Sequence, residues 1–408
     1  MGTQPSWKAR WALGAVALLL SLGMAELAFR LFWLHQLTIG QGIEHPHFHH
    51  RLLPNTTYHF ATAEFNVDIR TNRYGLRGPD PVIPKPAGVT RLLMLGDSFT
   101  FGFPVRDDQT FSHVIESGLR ARGRQVEVIN GGVSGYAPTL HYISLRDQFL
   151  AFEPDAVILW YDLGDLQEDH WFEKNLIRDA QGRVVAAHPH YRDGRFDWWS
   201  WLVSRSALAK WVNNKPVSTY RKLRVLGFRR YLKVIVSGER AKVAIAKLKA
   251  SQHAADLGMH DRFLLVREGA DPASVRAAWK VSERYLLMIR DLLRERGISF
   301  ALGIYPYGML AGPDEWAHGR VFWGFEPGRT YDASGAQSLL HEFCQRERIP
   351  LIDTFQAFQT AAATQQEKLF YDEDGHMTPA GHRVLAKQAL ADHQLVAMMS
   401  RGRAHARR

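Results

Sequence analysis

The sequence predicts an α/β protein, a doubly wound parallel sheet with a large insertion, preceded by one apolar N-terminal helix. Three observations predict it. Short apolar runs of strand length alternate with helical patterns, as they do when parallel strands are joined by helical crossovers. One such run, Leu92-Leu93-Met94-Leu95, ends in Gly96-Asp97-Ser98. That ending sets a hydroxyl at the carboxyl edge of a sheet, the edge where open α/β folds bind ligands. An apolar stretch from Trp11 to Leu34 opens the chain behind Lys8 and Arg10.

The elements follow in order. A strand over 91–95 precedes a helix near 109–122 that Gly123 closes, then a strand over 126–130, a helix near 138–151 and a strand over 155–161. The second half resumes with a helix near 275–296. Its apolar face is set by Ala278, Tyr285, Leu286, Ile289, Leu292 and Leu293, and Gly297 ends it. Strands over 298–305 and 349–352 come next, and a final helix follows Pro379. No internal repeat is evident.

Between the halves lies an insertion of roughly 166–274, rich in aromatics at its start (Trp171, Phe172, Trp198, Trp199, Trp201). Ordinary packing against the core is the expected use of these rings. Stacking on sugar faces or residence at a lipid headgroup layer are the alternatives. The insertion continues into a basic block, 204–249, with thirteen Lys/Arg against one acid, Glu239. Since the whole chain of 408 residues carries a formal charge of only +10, this block alone exceeds its excess. It reads as a solvated helical face or as a surface for anionic lipid.

The N-terminus helps choose partners. Fifteen uncharged residues from Trp11 to Ala25 fall short of a bilayer core of about 30 Å. The longer run to Leu34 suffices if Glu26 and Arg30 pair at i and i+4. Tryptophans at 7, 11 and 33 suit the two interfaces. Residues 1–35 are therefore read as a membrane anchor, with a signal peptide cleaved after Gly23-Met24-Ala25 as the alternative. Either way Lys8 and Arg10 stay on the cytoplasmic side and the rest is exported, which removes nucleic acid as a partner. Residues 36–89 read as a membrane-proximal lead. Its histidines (His45, His47, His49, His50) lack the Cys or paired acid that a metal site needs and are expected in a solvated linker. The single Cys344 excludes a disulfide within the chain.

A serine near the start of the catalytic region and an acid–histidine pair near its end, Asp374-Gly375-His376, are the parts of a nucleophile–base–orienter triad. Together these residues resemble the SGNH (GDSL-like) hydrolase family, of the bacterial membrane-anchored, polysaccharide O-acyl-modifying type. Gly96-Asp97-Ser98 matches its first block and Asn130-Gly131-Gly132-Val133-Ser134-Gly135 its second. The third block departs, because Asp162-Leu163-Gly164-Asp165 has glycine where the family's asparagine stands. The last block is usually Asp-x-x-His. Here Glu373 has that spacing and Asp374 lies two before His376.

The resemblance implies a flavodoxin-like sheet of SGNH type over 90–408 and acyl transfer through Ser98. His376 is the expected general base, Asp374 its orienter, and the Ser98, Gly135 and Gly164 positions form the oxyanion hole. It implies no cofactor and no metal. The substrate class is an acylated envelope glycan or lipid on the periplasmic side of a bacterial inner membrane, either hydrolysed or used as an acyl donor. A catalytically silent, glycan-binding member of an envelope assembly is the other reading. Because glycine offers no side-chain amide, Gly164→Asn is expected to raise turnover of a simple ester. His382, at the start of the last helix, is expected to be structural.

Overall fold

In a computed structural model of the chain the described residues are 6–33, 43–206, 208–209 and 262–405. Most of the basic block 204–249 therefore lies outside the described residues. The first helix, α1 (Trp7–Trp33), has a stretch Trp7–Ala28 of 22 residues with mean hydropathy 1.8 and no buried residue. At 1.5 Å per residue it covers about 33 Å, enough for a bilayer core of about 30 Å, and a signal sequence fits the same description. Glu26 accepts hydrogen bonds from Ser206 Oγ at 2.7 Å and from the Leu208 N–H at 3.0 Å. The side chain of Arg30, its expected partner, lies outside the described residues.

The lead is not a solvated linker. It forms two antiparallel hairpins, β1 (Ile43–His45) with β2 (His49–Arg51) and β3 (Thr57–Ala61) with β4 (Asn66–Arg70). Alternate residues of the second hairpin, Phe60, Val67 and Ile69, are buried. They pack with Val133, Tyr136 and Leu140 of the core, and with Phe172, Leu176 and Val184 of the insertion, in one apolar cluster. Imidazoles hide this from the sequence, because they line the first hairpin where apolar residues would mark a strand. His49 packs edge-on against Phe172 at 5.0 Å, and His50 against Tyr136 at 5.0 Å.

The core begins with β5 (Thr90–Gly96), the short helix α2 (Ser98–Phe101), α3 (Phe111–Ala121), β6 (Val126–Gly132), α4 (Pro138–Asp147) and β7 (Ala156–Tyr161). The insertion adds α5 (Asp165–Lys174), the hairpins β8 (Leu176–Arg178) with β9 (Val184–Ala187) and β10 (Tyr191–Arg192) with β11 (Arg195–Phe196), and α6 (Trp198–Arg205). Then come α7 (Pro272–Arg294), β12 (Ser299–Ile304), α8 (Gly308–Ala311), α9 (Ser334–Glu347) and β13 (Leu351–Asp353). Helices α10 (Phe355–Thr364), α11 (Pro379–Ala391) and α12 (His393–His405) finish the chain.

Five parallel strands pair in the order β6-β5-β7-β12-β13. In chain order this is 2-1-3-4-5, the flavodoxin-like order, so the expected doubly wound sheet is present. The winding reverses between β5 and β7, the kind of switch point outside whose carboxyl ends open α/β sheets bind ligands. Strands β5 and β7 are buried along their whole length, which is why they read as unbroken apolar runs instead of alternating ones. Helix α4 is shorter than expected: it ends at Asp147, and residues 149–152 form a 3₁₀ turn.

Candidate active site

Strand β5 runs straight into α2, and Ser98 is the first residue of that helix. The turn is tight. A β-carbon on Gly96 would meet Thr100 Oγ1 at 2.1 Å, and one on Gly132 would meet the Phe101 backbone nitrogen at 2.2 Å, so only glycine lets α2 fold back on the strand ends. Asp97 caps α2, accepting the Phe99 N–H at 2.9 Å. From the lead, the buried guanidinium of Arg77 donates to the carbonyls of Phe101, Gly102 and Val105, and clamps the exit of this turn.

His376 lies on the loop before α11, and its Nε2 is 2.8 Å from Ser98 Oγ. Its Nδ1 is bonded to Asp374 Oδ1, and that carboxylate also accepts the His376 backbone N–H at 3.2 Å. Burial pushes the Asp374 carboxyl up. The hydrogen bonds and charge of His376 outweigh it, so the group lies below its ordinary range and stays ionised. Glu373 points away, to His318 Nδ1 at 3.2 Å. The rings of Phe99 and Phe103 flank the imidazole at 4.8 and 5.1 Å. Glu64, at the tip of the β3–β4 hairpin, accepts the N–H groups of Glu373 and Asp374 at 3.0 and 3.1 Å, and so holds this loop from the lead.

The second block begins in the last three residues of β6 and continues into the loop that follows. Asn130 donates to the Thr100 carbonyl at 2.8 Å and accepts the Gly132 N–H at 3.0 Å, tying this loop to α2. Gly135 has a left-handed φ of 73°. Among the described residues neither the Ser98 nor the Gly135 N–H has an intramolecular acceptor. His50 Nε2 donates to the Ser134 carbonyl at 2.8 Å and braces the loop from behind. His49 Nδ1 lies 2.9 Å from His50 Nδ1, and burial first, then the neighbouring histidines, lower the His49 pKa to about 3. No group of three His, Cys, Asp or Glu among the described residues has the arrangement of a metal site.

Gly164 differs from its expected place in the oxyanion hole. Its N–H is committed to Asp162 Oδ1 at 2.5 Å, and Arg262, from the end of the insertion, lies over it. Behind it sits a buried carboxylate group. The Tyr305 hydroxyl is within reach of both Asp97 Oδ1 (3.1 Å) and Asp162 Oδ2 (3.2 Å), and Tyr307 donates to Asp162. One hydroxyl hydrogen cannot serve two carboxylates. A proton on Asp97 resolves the conflict, and burial first, then Asp162, push its pKa up to about 7. His382 is buried, accepts the Phe111 N–H at 3.2 Å, and has its pKa lowered by burial to about 3, which fits a structural residue.

Ser98, His376, Asp374 and Gly135 are marked by motifs in the sequence; Arg77, Glu64, His50 and Arg262 are not. These four act across long sequence separations and carry no motif. One weak signal is present: the histidine patch around His50 stands out by composition.

No protein-family model matches the chain, and no curated protein matches it. Among solved structures it is similar to an acetyl xylan esterase, AlAXEase, at 13% identity over 74% of this chain and 98% of that one, with TM-score 0.36. It is also similar to a protein from Desulfitobacterium hafniense DCB-2 assigned to the G-D-S-L family of lipolytic proteins, at 12% identity over 74% and 98%, with TM-score 0.33. A third is a catalytic mutant of Axe2, an acetylxylan esterase from Geobacillus stearothermophilus, at 11% identity over 74% and 93%, with TM-score 0.33. At these values each is a likeness of fold and brings no activity to this chain. The chain's own features define its class: a flavodoxin-like α/β protein with serine, histidine and aspartate in hydrogen-bonded series at the carboxyl edge of its sheet.

Proposed function

We propose that this chain is a serine esterase of the SGNH kind that acts on O-acyl groups of a carbohydrate or lipid of the cell envelope. The observation that carries the reading is the 2.8 Å approach of Ser98 Oγ to His376 Nε2, with Asp374 on the far side of the ring. His376 takes the Ser98 proton as Oγ attacks the acyl carbon. Asp374 holds the ring with Nδ1 protonated, so that Nε2 is free to accept. The Ser98 and Gly135 N–H groups receive the developing oxyanion. Collapse expels the alcohol, which takes the proton from His376 and leaves an acyl-Ser98. Water then completes hydrolysis, and a sugar hydroxyl in its place gives acyl transfer.

The proposed setting is the outer side of a bacterial inner membrane. Helix α1 is the single span, and Lys8 and Arg10 remain cytoplasmic under the positive-inside rule. The test of the chemistry is labelling by a fluorophosphonate probe alongside hydrolysis of an aryl acetate. Labelling and turnover that both vanish in Ser98→Ala support the reading. Labelling that persists in that variant sinks it.

A further inference from the structure

Helix α6 is built inside out. Its polar residues Ser200 and Ser204, at i and i+4, face the protein, with Ser200 Oγ 3.1 Å from His190 Nδ1 and Ser204 Oγ 3.4 Å from His190 Nε2. His190 is buried and is held in turn by Glu44 at 3.0 Å. The apolar side looks outward: Trp198 is 64% exposed, Trp199 38% and Trp201 39%, and no residue of the helix is fully buried. A helix that exists to cover a core does the reverse. The expectation that these rings pack between insertion and core holds for Phe172 alone, since Trp171 is also exposed.

The position of α6 says what lies opposite. The residue that follows it, Ser206, donates to Glu26, and Leu208 does the same through its N–H. Glu26 stands two residues from the end of the apolar stretch Trp7–Ala28. From Trp198 to Ser206 is eight residues, so the backbone of every tryptophan of α6 lies within about 12 Å, along the helix axis, of the serine bonded to Glu26. The polar zone on each side of a bilayer core is about 5–8 Å thick. Arg205, whose guanidinium lies 5.0 Å from the centre of the Trp201 ring, pairs a cation with an indole, the combination that suits lipid headgroups.

The geometry points to α6 as an interfacial foot: Trp198, Trp199 and Trp201 insert at the headgroup–acyl boundary of the same bilayer that α1 crosses. The occupant is lipid. The foot fixes the orientation of the catalytic face relative to the membrane. This inference rests on the reading of α1 as an uncleaved span.

The experiment uses the full chain in phosphatidylcholine nanodiscs whose acyl chains are brominated near the carbonyl end. Tryptophan quenching is compared between wild type and the Trp198→Ala/Trp199→Ala/Trp201→Ala variant, with matched circular dichroism. The variant should lose a bromine-quenched component and keep the one from Trp7, Trp11 and Trp33. Trp198→Ala alone, at the most exposed position, should lose part of it and serves if the triple variant misfolds. Equal bromine quenching in all three proteins overturns the inference. So does iodide quenching of the α6 tryptophans that an acetylated oligosaccharide relieves, which would assign them to sugar. The mass of the mature chain in the membrane fraction is read separately. A chain beginning at Glu26 overturns the anchor, and bromolipid vesicles then decide α6 by itself.

Discussion

The side chain of Arg262 runs through the space above Gly164: a β-carbon on that glycine would stand 2.9 Å from Arg262 Cγ and Nε, and 2.7 Å from Asp162 Oδ1. The place where the SGNH pattern has an asparagine is thus already filled, by a cation from the insertion. Its Nε is buried without a partner among the described residues, and its Nη1 lies 4.0 Å from Glu168. The simple expectation that Gly164→Asn adds a missing donor is therefore reversed. Asparagine there displaces Arg262 and should lower aryl acetate turnover. Arg262→Ala strips the nearby carboxylates of their cation and should cost about 1–3 kcal/mol of stability, the range for buried polar groups left unmatched. The double variant should recover part of the activity lost in Gly164→Asn alone, because the clash with Arg262 is then gone and only the one with Asp162 Oδ1 remains. Additive losses across this cycle would separate the two residues.

Ser98→Ala leaves a small side chain where α2 begins and disturbs no bond that holds the turn, since the cap comes from Asp97 and the clamp from Arg77. Turnover should fall by at least about 10⁴, the scale on which nucleophile removal acts in serine hydrolases. The thermal midpoint should stay within a few degrees. A large drop in that midpoint would make the activity loss uninformative about chemistry, and probe labelling of Ser98→Gly would then be read instead.

Asp374 and Glu373 make a sharper pair. Asp374→Asn keeps the shape beside His376 but presents an amide that favours the wrong ring tautomer, and kcat should fall by about 10³–10⁴. Glu373→Gln touches only the partner of His318 and should leave kcat within about twofold. A reversed ranking, measured with one ester substrate at one pH, would hand the orienting role to Glu373.

How much of this was visible beforehand follows from what each residue interacts with. Strands β5 and β7 and the triad were legible because each is a local pattern: an apolar run buried on both faces, a Gly-Asp-Ser turn, an acid two before a histidine. The lead was not. Its hairpins are held by Phe60, Val67 and Ile69 meeting residues of the core and of the insertion, and by His49 and His50 against aromatic rings. An imidazole serves equally as a solvated or a packed group, so a run of histidines does not declare itself. Arg262 was hidden for a different reason. Its role depends on a volume that glycine leaves empty nearly a hundred positions earlier, and a sequence shows the glycine without showing what enters the gap.

The buried carboxylates predict a pH trend in stability. Burial first, then Asp162, raises the Asp97 pKa to about 7, and burial is also the main cause that lifts Glu168 to about 7. For an acid with a raised folded value, the native state holds a proton that the unfolded chain has released, so stability falls as pH rises through that window. Buried histidines act in the opposite sense. His49, His141 and His382 are lowered to about 3, chiefly by burial, and their contribution is lost as pH falls below the unfolded value of 6.5. The two trends oppose each other below 6.5. Above about pH 7 most histidines of the unfolded chain are already neutral while Asp97 and Glu168 still release protons, so the wild-type thermal midpoint should fall between pH 7 and about 8. Asp97→Asn keeps an oxygen for the Phe99 N–H and removes the ionisation, and its midpoint should fall less over the same interval. Midpoints followed by circular dichroism at three pH values decide it. A wild-type midpoint that rises over this interval, or a fall of equal size in the variant, would mean that Asp97 is already ionised at pH 7 and that Tyr305 bridges the two carboxylates without the shared proton.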